Sequence, residues 1–175
     1  MRRTGFGASD SSILLGINKW HTLTHLIAEK TSRVYTAEEK EVAESINVRK
    51  GRDLEPLILS YFKSEHPDFD MIKPNIMFRI KVHPQLVINF DGIVTNQNNM
   101  PVEAKFVSTY ADKYYSWFKV TTLNKALLDA TTFAKGVDAA KHCSMMSEFY
   151  GIPDYYYTQV QHQLLGVESD YAYLV

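Results

Sequence analysis

Two acidic residues and a lysine in the middle of the chain have a spacing that could support metal-dependent chemistry. Asp91 is followed twelve residues later by Glu103, and Lys105 comes two positions after that. Residues 93–100 indicate a strand, a turn and a strand, so a hairpin would bring Asp91 and Glu103 side by side. Because side chains alternate along a strand, Glu103 and Lys105 point to one face while Ala104 points to the other.

Two carboxylates and an ammonium group at one place favour a particular chemistry. Carboxylate oxygens suit Mg²⁺ or Mn²⁺, and a neighbouring lysine suits a nucleophilic water or a phosphate. This combination is typical of phosphodiester cleavage. The alternative is an ordinary cross-strand pair of solvated charges, and the spacing taken alone favours that plainer interpretation.

Size and composition indicate a globular chain of one domain. Its 175 residues are 45% hydrophobic, which is enough for a sizeable core. The net charge of −1 excludes a global basic field, so a DNA-binding surface would have to be a local basic patch. Cys143 is the only cysteine, which excludes a disulfide framework and a cysteine-based metal site. There is no run long enough to span a membrane and no signal-peptide core, so we expect a cytoplasmic protein.

Periodicity and turn residues predict the elements that must position these side chains. The predicted helices cover residues 9–15, 23–31, a segment from near 36, 53–64 and a segment from Pro153 to Gly166. The predicted strands cover residues 76–82, 86–95, 102–107 and 171–175. This order predicts an α/β fold in which a mixed central sheet is flanked by helices.

Polar side chains on two of these helices could join the same site. Glu55 lies at the edge of the apolar stripe of the helix over 53–64. It could be a third carboxylate near a metal, or it could be an ordinary solvated acid. Gln159 and Gln163 share a helix face that Gln161 does not share. Their amides could orient a water or a phosphate oxygen, or simply form a polar helix face.

The beginning of the chain has residues that suit an anion. Arg2 and Arg3 precede a Gly-Phe-Gly-Ala-Ser-Asp segment that ends in Ser9 and Asp10. Glycines allow a ligand to approach the backbone, and the N-terminus of the following helix favours negative charge. An arginine, the serine hydroxyl and free amides would form a phosphate seat, whereas the plainer alternative is a frayed basic terminus with a helix cap.

Taken in order, these motifs resemble one known family. They are Gly-Phe-Gly-Ala-Ser-Asp, Gly-x-x-Leu-Glu-Pro, Asp-Gly, Glu-x-Lys and Gln-x-Gln-His-Gln. Their order resembles that of the YqaJ-like viral recombinases, the family of phage lambda exonuclease, within the PD-(D/E)xK nuclease superfamily. The resemblance extends from Arg2 to about Tyr173 and implies a restriction-endonuclease-like core.

The resemblance implies roles for the acids and the lysine. Asp91 and Glu103 would be metal ligands, assisted by the Ala104 carbonyl. Lys105 would steer and polarise the attacking water. Glu55 would be an additional acid of the metal site, provided by the preceding helix.

The resemblance also implies roles for the glutamines and for the start of the chain. Gln159 would be the motif glutamine close to the site, with Gln161 beside it. Arg2, Arg3 and Ser9 would hold the terminal 5′-phosphate of DNA.

As a whole, the resemblance implies a deoxyribonuclease that depends on Mg²⁺ or Mn²⁺. It would digest linear duplex DNA from its ends in the 5′→3′ direction during phage-type homologous recombination. Such relatives form trimeric rings and work with a single-strand annealing protein in a bacterial cytoplasm, encoded by a phage or prophage. The alternatives are a structure-specific or restriction-like endonuclease, and a non-catalytic protein that binds DNA ends.

Three features depart from the family pattern. Phe90 replaces the proline that usually precedes the acid, which changes backbone stiffness but not the ligands. The long stretch between Lys105 and Gln159 suggests a helical insertion around 118–147 within a single domain over 1–175. The chain also ends after the predicted last strand, where relatives usually continue, which suggests a minimal version.

Overall fold

The predicted helices and strands that the structure describes occur in the predicted order, and one strand, Met71–Ile72, was not predicted. The computed structural model describes residues 5–31, 46–106, 152–167 and 169–175. Within these ranges the helical elements are a 3₁₀ turn (Ala8–Asp10), α1 (Ser11–Leu14), α2 (Leu23–Thr31), α3 (Ile46–Glu65) and α4 (Asp154–Leu164). The strands are β1 (Met71–Ile72), β2 (Phe78–Arg79), β3 (Val87–Ile88), β4 (Gly92–Val94), β5 (Met100–Glu103) and β6 (Tyr173–Leu174).

The larger sheet has the strand order β1-β4-β5-β6. Strand β4 pairs antiparallel with both β1 and β5, whereas β6 lies parallel to β5. Strands β2 and β3 form a separate antiparallel pair. The expected α/β fold with a mixed sheet and helices is therefore confirmed.

The strand predicted over 86–95 is wrong as a single element, because β3 and β4 belong to different sheets. The Asn89 carbonyl between them accepts a hydrogen bond from the side chain of Gln163 at 3.2 Å. The next residue, Phe90, is 2% exposed and packs against Ile80, Ile88 and Ile93. Polar and apolar residues alternate through the break (Asn89, Phe90, Asp91) as they do along a half-buried strand, so the pattern of hydrophobicity did not reveal it.

The turn between β4 and β5 is where the sequence predicted it. Asn98 and Asn99 have φ values of 52° and 54°, in the left-handed region that asparagine tolerates better than most residues. The turn reverses the chain within a few residues, so β5 returns directly along β4. This hairpin carries the two acids of the candidate site.

Helix α3 packs on the hairpin and directs one of its acids toward the same end of the sheet. Leu59 and Phe62 are buried in a cluster that also contains Val94, Met100, Val102 and Ala104. Residues four apart on a helix share a face, so the buried face of Leu59 continues back to Glu55. Core packing of α3 therefore positions Glu55 beside the hairpin.

Helix α2 covers the predicted residues, whereas the helix predicted over 9–15 is a 3₁₀ turn (Ala8–Asp10) followed by α1 (Ser11–Leu14). Gly16 has a φ of 71°, which a glycine adopts without strain just after α1. The hydroxyl of Thr22 accepts a hydrogen bond from the His25 amide at 3.4 Å, so Thr22 caps α2.

The described ranges contain no helix with both the length and the apolarity needed to cross a bilayer. The insertion predicted around 118–147 lies outside the described residues, as do Arg2 and Arg3.

Candidate active site

A cavity of about 940 Å³ opens where the 3₁₀ turn, α3, α4 and the β4–β5 hairpin meet. Most of the predicted site residues that the structure describes line it: Ser9, Glu55, Asp91, Glu103, Ala104, Lys105 and Gln159. Gln161 is exposed on α4 and is not part of this wall. The structure therefore brings together side chains from four distant parts of the sequence, and it leaves Gln161 outside.

The register of the hairpin places Asp91 across from Glu103. Gly92 pairs with Val102 in the β4–β5 ladder, and continuing this antiparallel register by one residue sets Asp91 opposite Glu103. Oδ2 of Asp91 accepts a hydrogen bond from the Ala104 amide at 2.9 Å. Opposed residues project from the same face of a sheet, so both carboxyl groups enter the cavity from one side.

Glu103 is buried, yet both of its carboxylate oxygens have donors. Its side chain is 3% exposed. Oε1 accepts hydrogen bonds from the Lys105 ammonium and the Gln159 amide, and Oε2 accepts one from the Gln163 amide at 2.5 Å. A buried carboxylate is costly unless it is paired and hydrogen-bonded, and these three N–H donors compensate its charge.

The surroundings of Asp91 change its protonation. Burial, followed by the charge of Glu103, raises the pKa of Asp91 to about 7. The amide of Ala104 opposes this rise, while the charge of Glu55 adds to it. This carboxyl therefore holds a proton near neutrality that an ordinary aspartate would have lost, and a nearby cation would displace that proton.

Glu55 reaches the cavity with a partner that the sequence analysis did not predict. Its carboxylate lies 2.6 Å from the ammonium of Lys73, in the segment after β1. The side chains of Glu55 and Lys73 are 24% and 48% exposed, so this ion pair is accessible to water. Glu55 acts on Asp91 through its charge from the edge of the cavity.

The oxygen donors of the cavity fit a divalent cation. Among the described residues, no group of three or more His, Cys, Asp or Glu side chains is arranged to hold an ion. Mg²⁺, however, is usually bound through one or two carboxylates and keeps waters and phosphate oxygens as its other ligands. Asp91, Glu103 and Ala104 line the cavity, and their carboxylate and carbonyl oxygens would form such a small donor set. The mutual repulsion of the two carboxyls adds to the fit, because Mg²⁺ or Mn²⁺ would relieve it.

Lys105 is held over this donor set by two contacts. Its ammonium group is hydrogen-bonded to Glu103 and lies 5.1 Å from the centroid of the Tyr156 ring. Its side chain is 19% exposed. A cation above an aromatic face is stabilised by the charge distribution of the ring, so Tyr156 helps to orient the lysine toward the cavity.

The predicted phosphate seat lies on the same wall, but its amides are not all free. Gly7, Ala8 and Ser9 line the cavity, and the Ser9 side chain is exposed. The Gly7 amide already donates to the Asp10 carboxylate at 2.8 Å, and Asp10 in turn pairs with Lys30 at 2.7 Å. The expectation of free amides is therefore wrong for Gly7, because the helix-capping acid occupies that donor.

Helix α4 is anchored by a buried histidine. Nε2 of His162 donates to the Val87 carbonyl at 3.2 Å, and Nδ1 accepts from the Ser11 hydroxyl at 2.7 Å. Burial lowers the pKa of His162, although the bond to Val87 and the charge of Asp10 oppose this effect. Through these two hydrogen bonds the neutral ring connects α4 to α1 and β3. The connection helps to hold Gln159, on the same helix, next to Glu103.

Gln163 has a contact with Glu103 that the sequence did not predict, although it placed Gln163 on the same helix face as Gln159. It is fully buried, and its amide nitrogen donates to both Glu103 and the Asn89 carbonyl. Its side-chain oxygen has no hydrogen-bond partner among the described residues. The sequence contained one indication of this contact, because Gln163 lies four residues after Gln159 and both amides therefore lie on one helix face.

Replacing Gln163 by leucine is expected to destabilise the metal-free protein by about 1–3 kcal/mol, because a buried carboxylate oxygen would lose its donor. The matched control is Gln161→Leu on the exposed face of the same helix, for which we expect a change within about 0.5 kcal/mol. Urea unfolding followed by circular dichroism measures both. Equal stability of the two variants would show that Gln163 does not support Glu103.

Two comparisons with known proteins found sequences that are similar to this chain. A family model described as the YqaJ-like viral recombinase domain matches residues 1–168 of the chain. The uncharacterized protein YqaJ of Bacillus subtilis (strain 168) is 33% identical over 89 residues. That match covers 43% of this chain and 26% of the relative, so the chain spans about a quarter of the length of YqaJ.

Proposed function

The chain belongs to the YqaJ-like viral recombinase family, and from this premise we propose that it is a metal-dependent deoxyribonuclease of phage-type recombination. The observation that carries the proposal is the meeting of Asp91, Glu103 and Lys105 in one cavity. Two carboxylates beside an ammonium group suit phosphodiester hydrolysis better than they suit structural support, because burial and the charge of Glu103 raise the pKa of Asp91 at a cost in stability. We further propose that the mixed sheet and its helices are a restriction-endonuclease-like PD-(D/E)xK core.

Each side chain has a distinct part in this mechanism. Asp91, Glu103 and the Ala104 carbonyl would hold a Mg²⁺ or Mn²⁺ ion, which when bound supplies Lewis-acid stabilisation and a more acidic water. Lys105 would donate hydrogen bonds to the attacking water or to a non-bridging phosphate oxygen. Because the ammonium group is largely shielded from solvent, its charge stabilises the transition state more than it would in bulk water.

Gln159 and Glu55 would support this chemistry from either side. The Gln159 amide donates to the same oxygen of Glu103 as Lys105 does, and so it fixes the direction of that carboxylate. Glu55, at the cavity edge, would add a carboxylate that contacts the ion directly or through water once Lys73 is displaced. Gln161 has no part in the mechanism, since its side chain is exposed outside the cavity.

We propose that the substrate is the end of a linear DNA duplex, which is digested in the 5′→3′ direction. Ser9 supports this because its exposed side chain lies on the wall that also carries Lys105. A 5′-phosphate bound at Ser9, with Arg2 and Arg3 completing the seat, would place the adjacent phosphodiester near the carboxylates. A homotrimeric ring and a single-strand annealing partner are proposals that rest on the family alone.

Incubation with end-labelled linear duplex tests the proposed function. We expect Mg²⁺ to support release of nucleotides from 5′-phosphorylated ends, slower release from unphosphorylated ends, and no release in EDTA. Covalently closed circular duplex should remain intact, because it offers no end. Cleavage of the circle would assign an endonuclease instead, and binding to ends without any cleavage in Mg²⁺ or Mn²⁺ would overturn the nuclease proposal.

A further inference from the structure

Three aromatic rings form a row of successive contacts that begins at Lys105. The ring of Tyr156 lies under the Lys105 ammonium, and its centroid is 4.4 Å from that of Tyr155. Tyr155 in turn contacts Trp20 at 4.9 Å, with the two rings at 79° to each other. The row therefore connects the proposed catalytic lysine to the loop that follows α1.

The outer rings of the row face the cavity, and the middle ring supports them. Tyr155 is 8% exposed, whereas Trp20 is 51% exposed and Tyr156 is half-buried. Both Trp20 and Tyr156 line the cavity. Burying an aromatic side chain stabilises a fold substantially, so a tryptophan left half-exposed in the wall of a site contributes less to the core than its size allows. About half of its surface is therefore exposed at the cavity wall.

Trp20 is held in place before any ligand arrives. The amides of Trp20 and His21 both donate to the side-chain oxygen of Asn18, at 2.9 and 2.8 Å. The Asn18 amide donates at 2.9 Å to the hydroxyl of Ser12, which is buried in α1. This chain of hydrogen bonds fixes the backbone at Trp20, and a rigid aromatic side chain loses little entropy when it binds a flat ligand.

The neighbouring charges indicate which flat ligand this surface would meet. Lys105 and Arg52 line the same cavity and suit phosphate oxygens. In a nucleotide chain, an aromatic base is attached through its sugar to each phosphate. A phosphate that contacts Lys105 therefore brings a base toward Tyr156 and Trp20, whereas a peptide or a lipid would bring no such pairing of a phosphate with a planar ring.

We propose that Trp20 and Tyr156 form a stacking subsite for the nucleobase next to the phosphate that is cleaved. This inference rests on the proposed nuclease function and extends it to a residue outside the metal site. Every base has a π-face, so such a subsite would hold DNA without reading its sequence. A base inside a duplex already has both faces stacked, so the subsite would take an unpaired nucleotide.

The test compares ordinary DNA with DNA that lacks one base. Short 5′-phosphorylated single strands would carry a single abasic residue at each of the first three positions in turn. Their affinity would be measured in Ca²⁺, and their cleavage in Mg²⁺. Stacking on an aromatic side chain contributes about 1–3 kcal/mol per base, so wild-type protein should lose about 5- to 150-fold in affinity at one of these positions.

Variants at Trp20 make the test specific. Trp20→Ala should bind the ordinary strand about 5- to 150-fold more weakly, and the abasic residue should then reduce its affinity little further. Trp20→Phe should retain most of the affinity. Trp20→Leu still covers Tyr155 and serves if Trp20→Ala is unstable. Tyr171→Ala is the matched control, because that ring is 75% exposed and lies outside the cavity wall.

The outcomes separate this inference from the proposed function. Suppose that wild-type protein cleaves DNA, and that the Trp20→Ala and Trp20→Leu variants discriminate between ordinary and abasic strands as strongly as wild type does. The stacking subsite is then wrong, and the nuclease proposal stands. If wild-type protein binds base-dependently through Trp20 but never cleaves, the subsite stands and the nuclease is wrong. A protein that neither binds nor cleaves these strands overturns both.

Discussion

Replacement of Lys105 by alanine should lower the rate of Mg²⁺-dependent DNA cleavage by about 10²–10³-fold, the usual cost of removing one transition-state donor from a shielded site. The reason is the position of its ammonium group, which lies beside the proposed metal-binding carboxylate and inside the cavity. The fold should survive, because Glu103 keeps donors from Gln159 and Gln163. Single-turnover cleavage of end-labelled duplex measures the loss, and thermal unfolding checks the fold.

The matched control for this experiment is Lys81→Ala. Lys81 is exposed and lies outside the cavity wall, so its loss changes the net charge equally without touching the site. We expect it to cleave within about threefold of wild type, since a single exposed charge contributes little. Equal losses in the two variants would mean that Lys105 acts only through general attraction for DNA.

Asp91→Asn should lower the rate of Mg²⁺-dependent cleavage by about 10³-fold and, at the same time, stabilise the metal-free protein at alkaline pH. The activity is lost because an amide oxygen is a much weaker ligand for Mg²⁺ than a carboxylate, at a cost of several kcal/mol in the transition state, or about 10³-fold. The Ala104 amide can still donate to the asparagine oxygen, so the hairpin keeps its cross-strand contact.

The gain in stability follows from the pKa of Asp91. That pKa is about 7 in the folded protein against an ordinary value of 3.8, so the folded state retains a proton that the unfolded chain releases between these values. Wild-type stability therefore falls as pH rises through this window, and the full penalty is present above about pH 7. The difference corresponds to about 4 kcal/mol, which we reduce to about 2 kcal/mol because cavity water screens the charge.

At pH 8 without metal, the Asp91→Asn variant should accordingly melt about 4–8 °C above wild type, and this gain should disappear near pH 4. Added Mg²⁺ should raise the melting temperature of wild type but not of the variant. Asp68→Asn is the control, because Asp68 is an exposed acid outside the cavity. A variant that cleaves normally, or that is less stable than wild type at pH 8, contradicts the role given to Asp91.

Local signals were sufficient for much of the architecture. The asparagine-rich turn and the alternating residues on both sides of it predicted the β4–β5 hairpin, because short hairpins depend on neighbouring residues. The same spacing predicted that Asp91 would face Glu103, as the register shows. Thr22 indicated the start of α2 for a similar reason, since a helix cap involves residues within one turn. The order of the short motifs indicated the family that the family model matches.

The sequence by itself determined which charged groups share the hairpin, because their separation along the chain is short and a strand alternates its side chains. Only the tertiary structure decided how these groups are neutralised. Gln159 and Gln163 reach Glu103 across 56 and 60 residues of sequence. These contacts depend on the packing of α4 against β5 and on the hydrogen bonds of His162 to α1 and β3. Helical periodicity specifies neither of them. The single strand predicted over 86–95 is divided in two at the residues where Phe90 packs and the Asn89 carbonyl accepts a hydrogen bond from Gln163. These partners are distant in sequence, so the break leaves no local signal.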